Sequence, residues 1–307
     1  MTKSIDKNIS EQTSAVLAKI ENGYTPLRFL GQGSVGTVYE CVDSDGRHVA
    51  VKLMESNPMV DISIFEGIIH AALATQEIPE NINVVDVLTA GKEGSDYYII
   101  MEMMPGGTLE TMVMDSSLSF SAKLESAAKI AEIIAGIHGR GIVHGDLKPE
   151  NILLNAEKEP YLNDFYLYTA GESGEMPIMP FGTPYYMSPE QAKGALITPE
   201  SDIYSFGVLI YELLTARMPY YSKPDNIQEM VTEIADGKIY PPSKANSKIN
   251  SRLNAVILKL LEKDADNRYR NMNRAAGDLR ACIDQKPISI PYNESLLEKI
   301  RSFLHLS

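Results

Sequence analysis

The chain has 307 residues, enough for one large domain or two modest ones with a buried core. Its 28 basic and 41 acidic residues leave a formal net charge of −13, so nucleic acid or an anionic membrane surface would be repelled on average. Its two cysteines lie far apart, which argues against a disulfide scaffold and is typical of a reducing compartment. The first residues lack a secretion signal, and no apolar run has membrane-spanning length. We therefore expect a cytoplasmic protein with no nucleic-acid partner and no membrane span.

The first third of the chain predicts a small lobe made mainly of β-strands. A short helix is expected over 11–20, within an N-terminal extension of residues 1–23, because apolar residues are followed by an Asn-Gly stop signal. From 24 to 104 several runs alternate or are rich in β-branched residues, which predicts an antiparallel sheet. One helix, 62–74, interrupts that sheet. The runs expected to be strands are 37–42, 49–54, 84–88 and 97–101.

The rest of the chain predicts a larger, mainly helical lobe over 105–285, which starts at a Pro-Gly-Gly turn. The expected helices span 109–114, 121–138, 201–214, 227–235, 253–261 and 275–283. The tail, 286–307, carries apolar residues at helical spacing after two prolines, which predicts an amphipathic helix. We expect this helix to pack on its own domain rather than to dock on a partner. The predicted fold class is α+β, with two lobes joined near residue 104.

The most informative segment is 143–151, which places Asp146, Lys148 and Asn151 close together among apolar residues. A carboxylate, an ammonium and a carboxamide at that spacing can orient a hydroxyl, neutralise a phosphate and hold a divalent cation. A second isolated carboxylate, Asp164, follows a short apolar strand and a turn. Together with a glycine-rich turn upstream, these residues predict a site that moves a phosphoryl group from a nucleotide.

The glycine-rich turn contains Gly31, Gly33 and Gly36. The same pattern opens dinucleotide-binding folds, in which a helix follows the glycines. Here a β-type run, 37–42, follows instead. We therefore favour a hairpin whose backbone N–H groups approach phosphates, with a simple flexible hairpin as the alternative. Lys52, on the next strand, shifts the balance toward nucleotide binding.

Lys52 lies on an otherwise apolar strand, so its ammonium needs a carboxylate partner if it is buried. Glu66, on the predicted helix 62–74, is the expected partner. The alternative for Glu66 is a solvated face of that helix.

In order and spacing, these motifs resemble those of the eukaryotic-type (Hanks-type) serine/threonine protein kinases, from about residue 30 to about residue 283. The resemblance implies a bilobal kinase fold, ATP and Mg²⁺, and a protein substrate with a Ser or Thr acceptor. It leaves the oligomeric state open. Lys148 and the segment 182–190 resemble the serine/threonine branch rather than the tyrosine branch. That segment, with Arg268 as the implied partner of Glu190, disfavours a kinase of small metabolites or antibiotics.

The resemblance also implies a role for each site residue. Asp146 would orient the attacking hydroxyl, Lys148 would neutralise the transferred phosphoryl, and Lys52 paired with Glu66 would bind the α- and β-phosphates. Asp202 would hold the backbone of the 143–151 loop. The implied magnesium ligands are Asn151 and Asp164. The implied nucleotide-binding residues are Gly31, Gly33, Gly36, Val38, Ala50, Lys52, Met101, Glu102, Met104 and Leu153.

Three positions depart from the family's pattern. Gly145 stands where most members have an arginine that binds an activating phosphate, so we expect activity not to need a phosphate on Thr169 or Ser173. Tyr166 replaces a glycine beside Asp-Phe, which should restrict that backbone. His70 occupies a usually apolar position, where we expect a neutral buried histidine. These departures motivate an alternative function, a pseudokinase-like nucleotide-binding scaffold or regulatory module.

Overall fold

The structure, a computed structural model, describes residues 9–21, 23–33, 35–55, 61–165, 184–221 and 226–292. The expectations for the tail helix, for Tyr166 and for the hydroxyls of Thr169 and Ser173 lie outside the described residues. Among the described residues, none of the helices combines the length and the apolar character that crossing a bilayer requires.

The chain divides into two compact units. Of the described residues, the first unit takes in those from 9 to 107 and from 153 to 165, and the second takes in those from 108 to 152 and from 184 to 292. Residues 153–165 are thus grouped with the β-rich unit.

The first unit is built on a five-stranded antiparallel sheet with the order β1-β2-β3-β5-β4. Its strands are β1 (Thr25–Gln32), β2 (Thr37–Val42), β3 (His48–Met54), β4 (Val87–Glu93) and β5 (Asp96–Glu102). Helix α2 (Ile62–Ala74) packs on β4 and β5. A second, three-stranded sheet contains β6 (Gly107–Thr108), β7 (Ile152–Leu154) and β8 (Pro160–Leu162).

The predicted N-terminal helix is α1 (Glu11–Lys19), and it is an integral part of the first unit. Its N-cap is Ser10, whose hydroxyl accepts a hydrogen bond from the Thr13 N–H at 3.0 Å. Leu17, which is fully buried, packs in one apolar cluster with Cys41 of β2 and Val51 of β3. The helix therefore covers apolar side chains of the sheet that would otherwise face water.

Two strands differ from the prediction. The run 84–88 forms a strand only from Val87 onward, while Val84 makes an isolated bridge with Leu162. Strand β1, which contains a proline and ends in the glycine-rich turn, was not predicted. It is an edge strand paired with β2 alone, where a proline is tolerated because fewer backbone N–H groups are needed.

The second unit is helical, as predicted. Its helices are α3 (Leu109–Met114), α4 (Phe120–His138), α5 (Pro189–Ala192), α6 (Pro199–Thr215), α7 (Ile227–Asp236), α8 (Pro242–Ala245), α9 (Ser251–Leu260) and α10 (Met272–Ile283). Helix α6 lies at the centre and contacts α3, α4, α8 and α9. Every residue of α6 from Ser201 to Tyr211 is buried, polar residues such as Asp202 included. Helices α5 and α8 were not predicted, because four residues are too few to show helical periodicity.

Candidate active site

Lys52 and Asp164 come together within the first unit. Lys52 lies on β3, in register with Val38 of β2 and Ile99 of β5, and is only 6% exposed. Its Nζ donates a hydrogen bond to Asp164 Oδ2 at 2.8 Å. Asp164 has a φ of +56°, a left-handed conformation that aspartate adopts more readily than most residues. The buried ammonium is thus neutralised by a carboxylate held on a strained backbone.

The predicted partner of Lys52, Glu66, does not form that pair in this structure. Glu66 is exposed on α2, which agrees with the alternative that it lies on a solvated face of this helix. Helix α2 buries Phe65 and Ala71, and consecutive helical positions differ by about 100°, so Glu66 points away from the face that carries Phe65. His70 follows four residues after Glu66 on the same face and is exposed too, so the expectation of a buried histidine was wrong.

The glycine-rich turn has two different kinds of glycine. The Gly33 N–H donates to the Gly36 carbonyl at 2.8 Å and closes the turn. A Cβ on Gly36 would lie 2.5 Å from the Leu53 carbonyl oxygen, so β3 itself requires a glycine there. A Cβ on Gly31 would meet no atom within 4 Å. The backbone is therefore open to a ligand at Gly31, whereas Gly36 is first of all a packing requirement.

The apolar residues of the predicted nucleotide-binding set share one apolar cluster in the first unit. The predicted members of this cluster are Val38, Ala50, Met101, Met104 and Leu153. Ala50 pairs with Met101 across β3 and β5. The Glu102 carboxylate accepts the Asp86 N–H at 2.9 Å, so its side chain fixes the end of β5. Among the described residues, no backbone hydrogen bond is made by the N–H of Met104.

Asp146, Lys148 and Asn151 come together within the second unit. Lys148 Nζ donates to Asp146 Oδ2 at 2.6 Å. Asn151 Nδ2 donates to the same Oδ2 at 2.9 Å and to the Asp146 carbonyl at 2.8 Å. Asn151 is 5% exposed, whereas the Asp146 side chain is 37% exposed. A buried amide thus fixes a carboxylate that still reaches solvent.

The backbone just before Asp146 is anchored by Asp202 at the start of α6, as predicted. The buried Asp202 carboxylate accepts the His144 N–H at 2.7 Å and the Gly145 N–H at 2.9 Å. It also contacts His138 Nε2 at 2.8 Å, a partner that the sequence analysis missed. The one signal for it in the sequence is a lone histidine at the end of the predicted helix 121–138, which on its own indicates nothing. Gly145 has a φ of +81°.

Glu190 and Arg268 form the predicted ion pair, which is confirmed. Both guanidinium nitrogens Nη1 and Nη2 donate to the Glu190 carboxylate at 2.7 Å, and the Arg268 side chain is fully buried. Burial alone would raise the pKa of Glu190, but the hydrogen bonds and charge of Arg268 outweigh it and lower that pKa to about 2. Arg268 also donates to the backbone carbonyls of Glu200 and Glu262. The pair therefore ties α5 to the start of α6 and to the loop after α9.

A group of acidic residues around Glu212, near the loop 143–151, was not predicted from the sequence. The Tyr186 hydroxyl hydrogen bonds to the Glu212 carboxylate of α6. Burial raises the pKa of Glu212, and the nearby carboxylates of Glu150 and Glu110 raise it further. Only the three-dimensional packing brings these separate acidic residues together, so no local pattern could have revealed them.

Comparison with known proteins agrees with this fold. Residues 24–276 match the family model described as protein kinase domain. The chain belongs to the protein kinase family.

Three curated relatives of this chain come from bacteria. A probable serine/threonine-protein kinase of Clostridium acetobutylicum is 31% identical over 264 residues, which cover 85% of this chain and 40% of that protein. Serine/threonine-protein kinase PrkC of Bacillus subtilis is 30% identical over 294 residues, which cover 92% of this chain and 44% of PrkC. A probable serine/threonine-protein kinase of Streptomyces coelicolor is 32% identical, with 84% and 40% covered. The chain thus spans less than half the length of these relatives.

Proposed function

We propose that this chain is an ATP- and Mg²⁺-dependent protein kinase that phosphorylates serine or threonine residues of protein substrates. The observation that carries the proposal is the cluster of Asp146, Lys148 and Asn151, hydrogen bonded to one another on a loop whose backbone Asp202 anchors. Membership of the protein kinase family and the names of the relatives support the same activity.

The first unit fits a nucleoside triphosphate. Open backbone at Gly31 suits phosphate oxygens, and the apolar cluster around Ala50 suits a purine ring. The Met104 N–H is available to hydrogen bond the edge of the ring. Lys52 supplies a buried positive charge. When phosphates bind, its ammonium would hydrogen bond to them, either in place of Asp164 or in addition to it.

The donor set also fits Mg²⁺, which prefers carboxylate and amide oxygens. Asn151 uses its Nδ2 to hold Asp146, so its Oδ1 is the atom that would bind the metal. The Asp164 carboxylate would supply the second protein ligand. When bound, Mg²⁺ neutralises negative charge on the phosphate oxygens.

The remaining work falls to side chains of the loop 143–151. Asp146 would accept a hydrogen bond from the acceptor hydroxyl and take up its proton, because its carboxylate is fixed on one side and exposed on the other. Lys148, with its side chain 22% exposed, would stabilise charge on the transferred group. Phosphoryl transfer needs mainly such positioning and electrostatic stabilisation, which these fixed groups provide.

The test is transfer of radiolabel from ATP to a generic basic protein and to the chain itself, with magnesium present. We expect transfer by the wild type and a loss of at least about a hundredfold in Asp146→Asn, the usual contribution of a general base. The matched control is Asp236→Asn, since the Asp236 side chain is 74% exposed on α7 and should not affect transfer. If neither the wild type nor the control transfers label although ATP binds, the chain is a nucleotide-binding scaffold and the proposal fails.

A further inference from the structure

Gln191, on helix α5, hydrogen bonds to the loop that carries Asp146. Its Nε2 donates to the Gly145 carbonyl at 3.2 Å. Its Oε1 accepts the Ser188 N–H at 2.9 Å, and its own N–H donates to the Ser188 hydroxyl at 3.3 Å. The side chain therefore completes the N-terminal cap of α5 with one end and reaches the 143–151 loop with the other.

Chemistry determines which way this amide points. A backbone N–H can only donate and a backbone carbonyl can only accept, so the Oε1 of Gln191 must face Ser188 and its Nε2 must face Gly145. Gln191 is half-buried, and Ser188 is fully buried. Glutamine satisfies both partners at once, which a glutamate cannot do.

The bond matters because of the peptide group that it holds. The N–H groups of His144 and Gly145 donate to Asp202, and the N–H of Asp146 donates to His144 Nδ1 at 3.2 Å. The carbonyl of Gly145 lies directly before Asp146 and accepts the hydrogen bond from Gln191. Gly145 is at a φ of +81° and has no side chain to resist rotation of this peptide.

We propose that Gln191 is a positioning residue, which fixes the peptide between Gly145 and Asp146 and so sets the direction of the Asp146 carboxylate. The same amide ties that peptide to Ser188, the N-cap of α5. The side chain of Gln191 thus couples the loop that carries Asp146 to the N-terminus of α5, and this coupling needs no phosphate group. One test of this inference, the rate of phosphoryl transfer, rests on the proposed kinase activity. The other test, hydrogen exchange of the loop, does not.

Two substitutions separate the cap from the contact with Gly145. Gln191→Glu keeps the oxygen that caps Ser188, and glutamate is a favoured capping-box residue, but it has no N–H to donate to Gly145. Gln191→Met removes both interactions of the side chain, while the methionine side chain is similar in size to that of glutamine. Gln228→Glu, at an exposed position on α7, is the control for the added charge.

The first measurement is the rate of transfer to the basic protein used above. Loss of one hydrogen bond that orients the base should lower kcat about tenfold in Gln191→Glu and Gln191→Met, with the KM for ATP unchanged. Gln191→Met should lower the melting temperature more than Gln191→Glu, because it loses the cap in addition to the bond to Gly145. The second measurement is hydrogen exchange of a peptide that spans 142–148, which should become faster in Gln191→Glu but not in Gln228→Glu.

The outcomes distinguish this inference from the proposed function. A Gln191→Glu variant with wild-type kcat and wild-type exchange over 142–148 would overturn the positioning role. If the wild type transfers no label, the proposed kinase activity fails, and the exchange measurement still decides: faster exchange in Gln191→Glu supports the clamp, and unchanged exchange rejects it.

Discussion

The ion pair between Glu190 and Arg268 offers the sharpest test of the energetics of the second unit. In Glu190→Gln the carboxylate is replaced by a neutral amide of the same shape, while Arg268 stays buried with its positive charge. Lowering a pKa from 4.5 to about 2 corresponds to about 3 kcal/mol, at 1.36 kcal/mol per pKa unit. Removal of one partner of a buried pair typically costs ~3–5 kcal/mol. Because backbone carbonyls still accept from Arg268, we expect the lower end, about 3 kcal/mol at pH 7.

The pH dependence follows from the direction of the shift. The folded pKa of Glu190 lies below its unfolded value, so the stabilisation is complete above about pH 4.5 and is lost as the pH falls toward about 2. About 2 kcal/mol of the difference between wild type and Glu190→Gln should therefore disappear between pH 7 and pH 3.

The assay is urea unfolding followed by far-UV circular dichroism, since the chain has no tryptophan for fluorescence. Glu132→Gln is the matched control, because the Glu132 side chain is 48% exposed in its pair with Arg280 and its loss should cost less than about 1 kcal/mol. A Glu190→Gln variant within about 1 kcal/mol of wild type at pH 7, or a difference that does not change down to pH 3, would refute the reasoning.

Three further predictions concern single side chains, and urea or thermal unfolding tests each. Gly145→Ala should lower the free energy of unfolding by about 1–2 kcal/mol, because alanine resists the positive φ at this position; Gly145→Asn should lower it less, and equal losses would contradict this reason. Gly277→Ala should raise stability by about 0.5–1 kcal/mol without changing activity, since a Cβ there meets no atom within 4 Å in α10; destabilisation would show that the helix is locally distorted. Leu17→Ala should cost about 2–5 kcal/mol because Leu17 is fully buried, while Lys19→Ala, exposed on the same helix, should be nearly neutral. Similar effects of these last two substitutions would mean that α1 does not brace the sheet.

Much of the fold followed from local patterns. The longer helices of the second unit were predicted to within a few residues, because apolar side chains repeat at helical spacing along α4, α6 and α9. Strands β2 and β3 were predicted for a similar reason, since β-branched residues favour a half-buried pleated surface. The one-turn helices α5 and α8, and the edge strand β1, carry no such repeat and were missed.

The loop 143–151 was also readable, because Asp146, Lys148 and Asn151 lie within a few residues of one another and meet through a single turn. Short sequence separation limits the geometries that such residues can adopt. Asp202 and Arg268 were placed correctly only through the order of motifs that the family shares. Their partners lie too far along the chain for any local pattern to identify them.

The sequence by itself determined the family, the succession of strands and helices, and the residue types of the candidate site. Tertiary structure alone decided which carboxylate meets Lys52: its ammonium bonds to Asp164, 112 residues away, and leaves Glu66 in water. It also set the positive φ of Gly145 and placed the Gln191 amide, 46 residues away, on its carbonyl. The physical reason is that a buried charge or peptide group takes whatever partner the packed core brings within hydrogen-bonding distance, and that choice depends on contacts far apart in sequence.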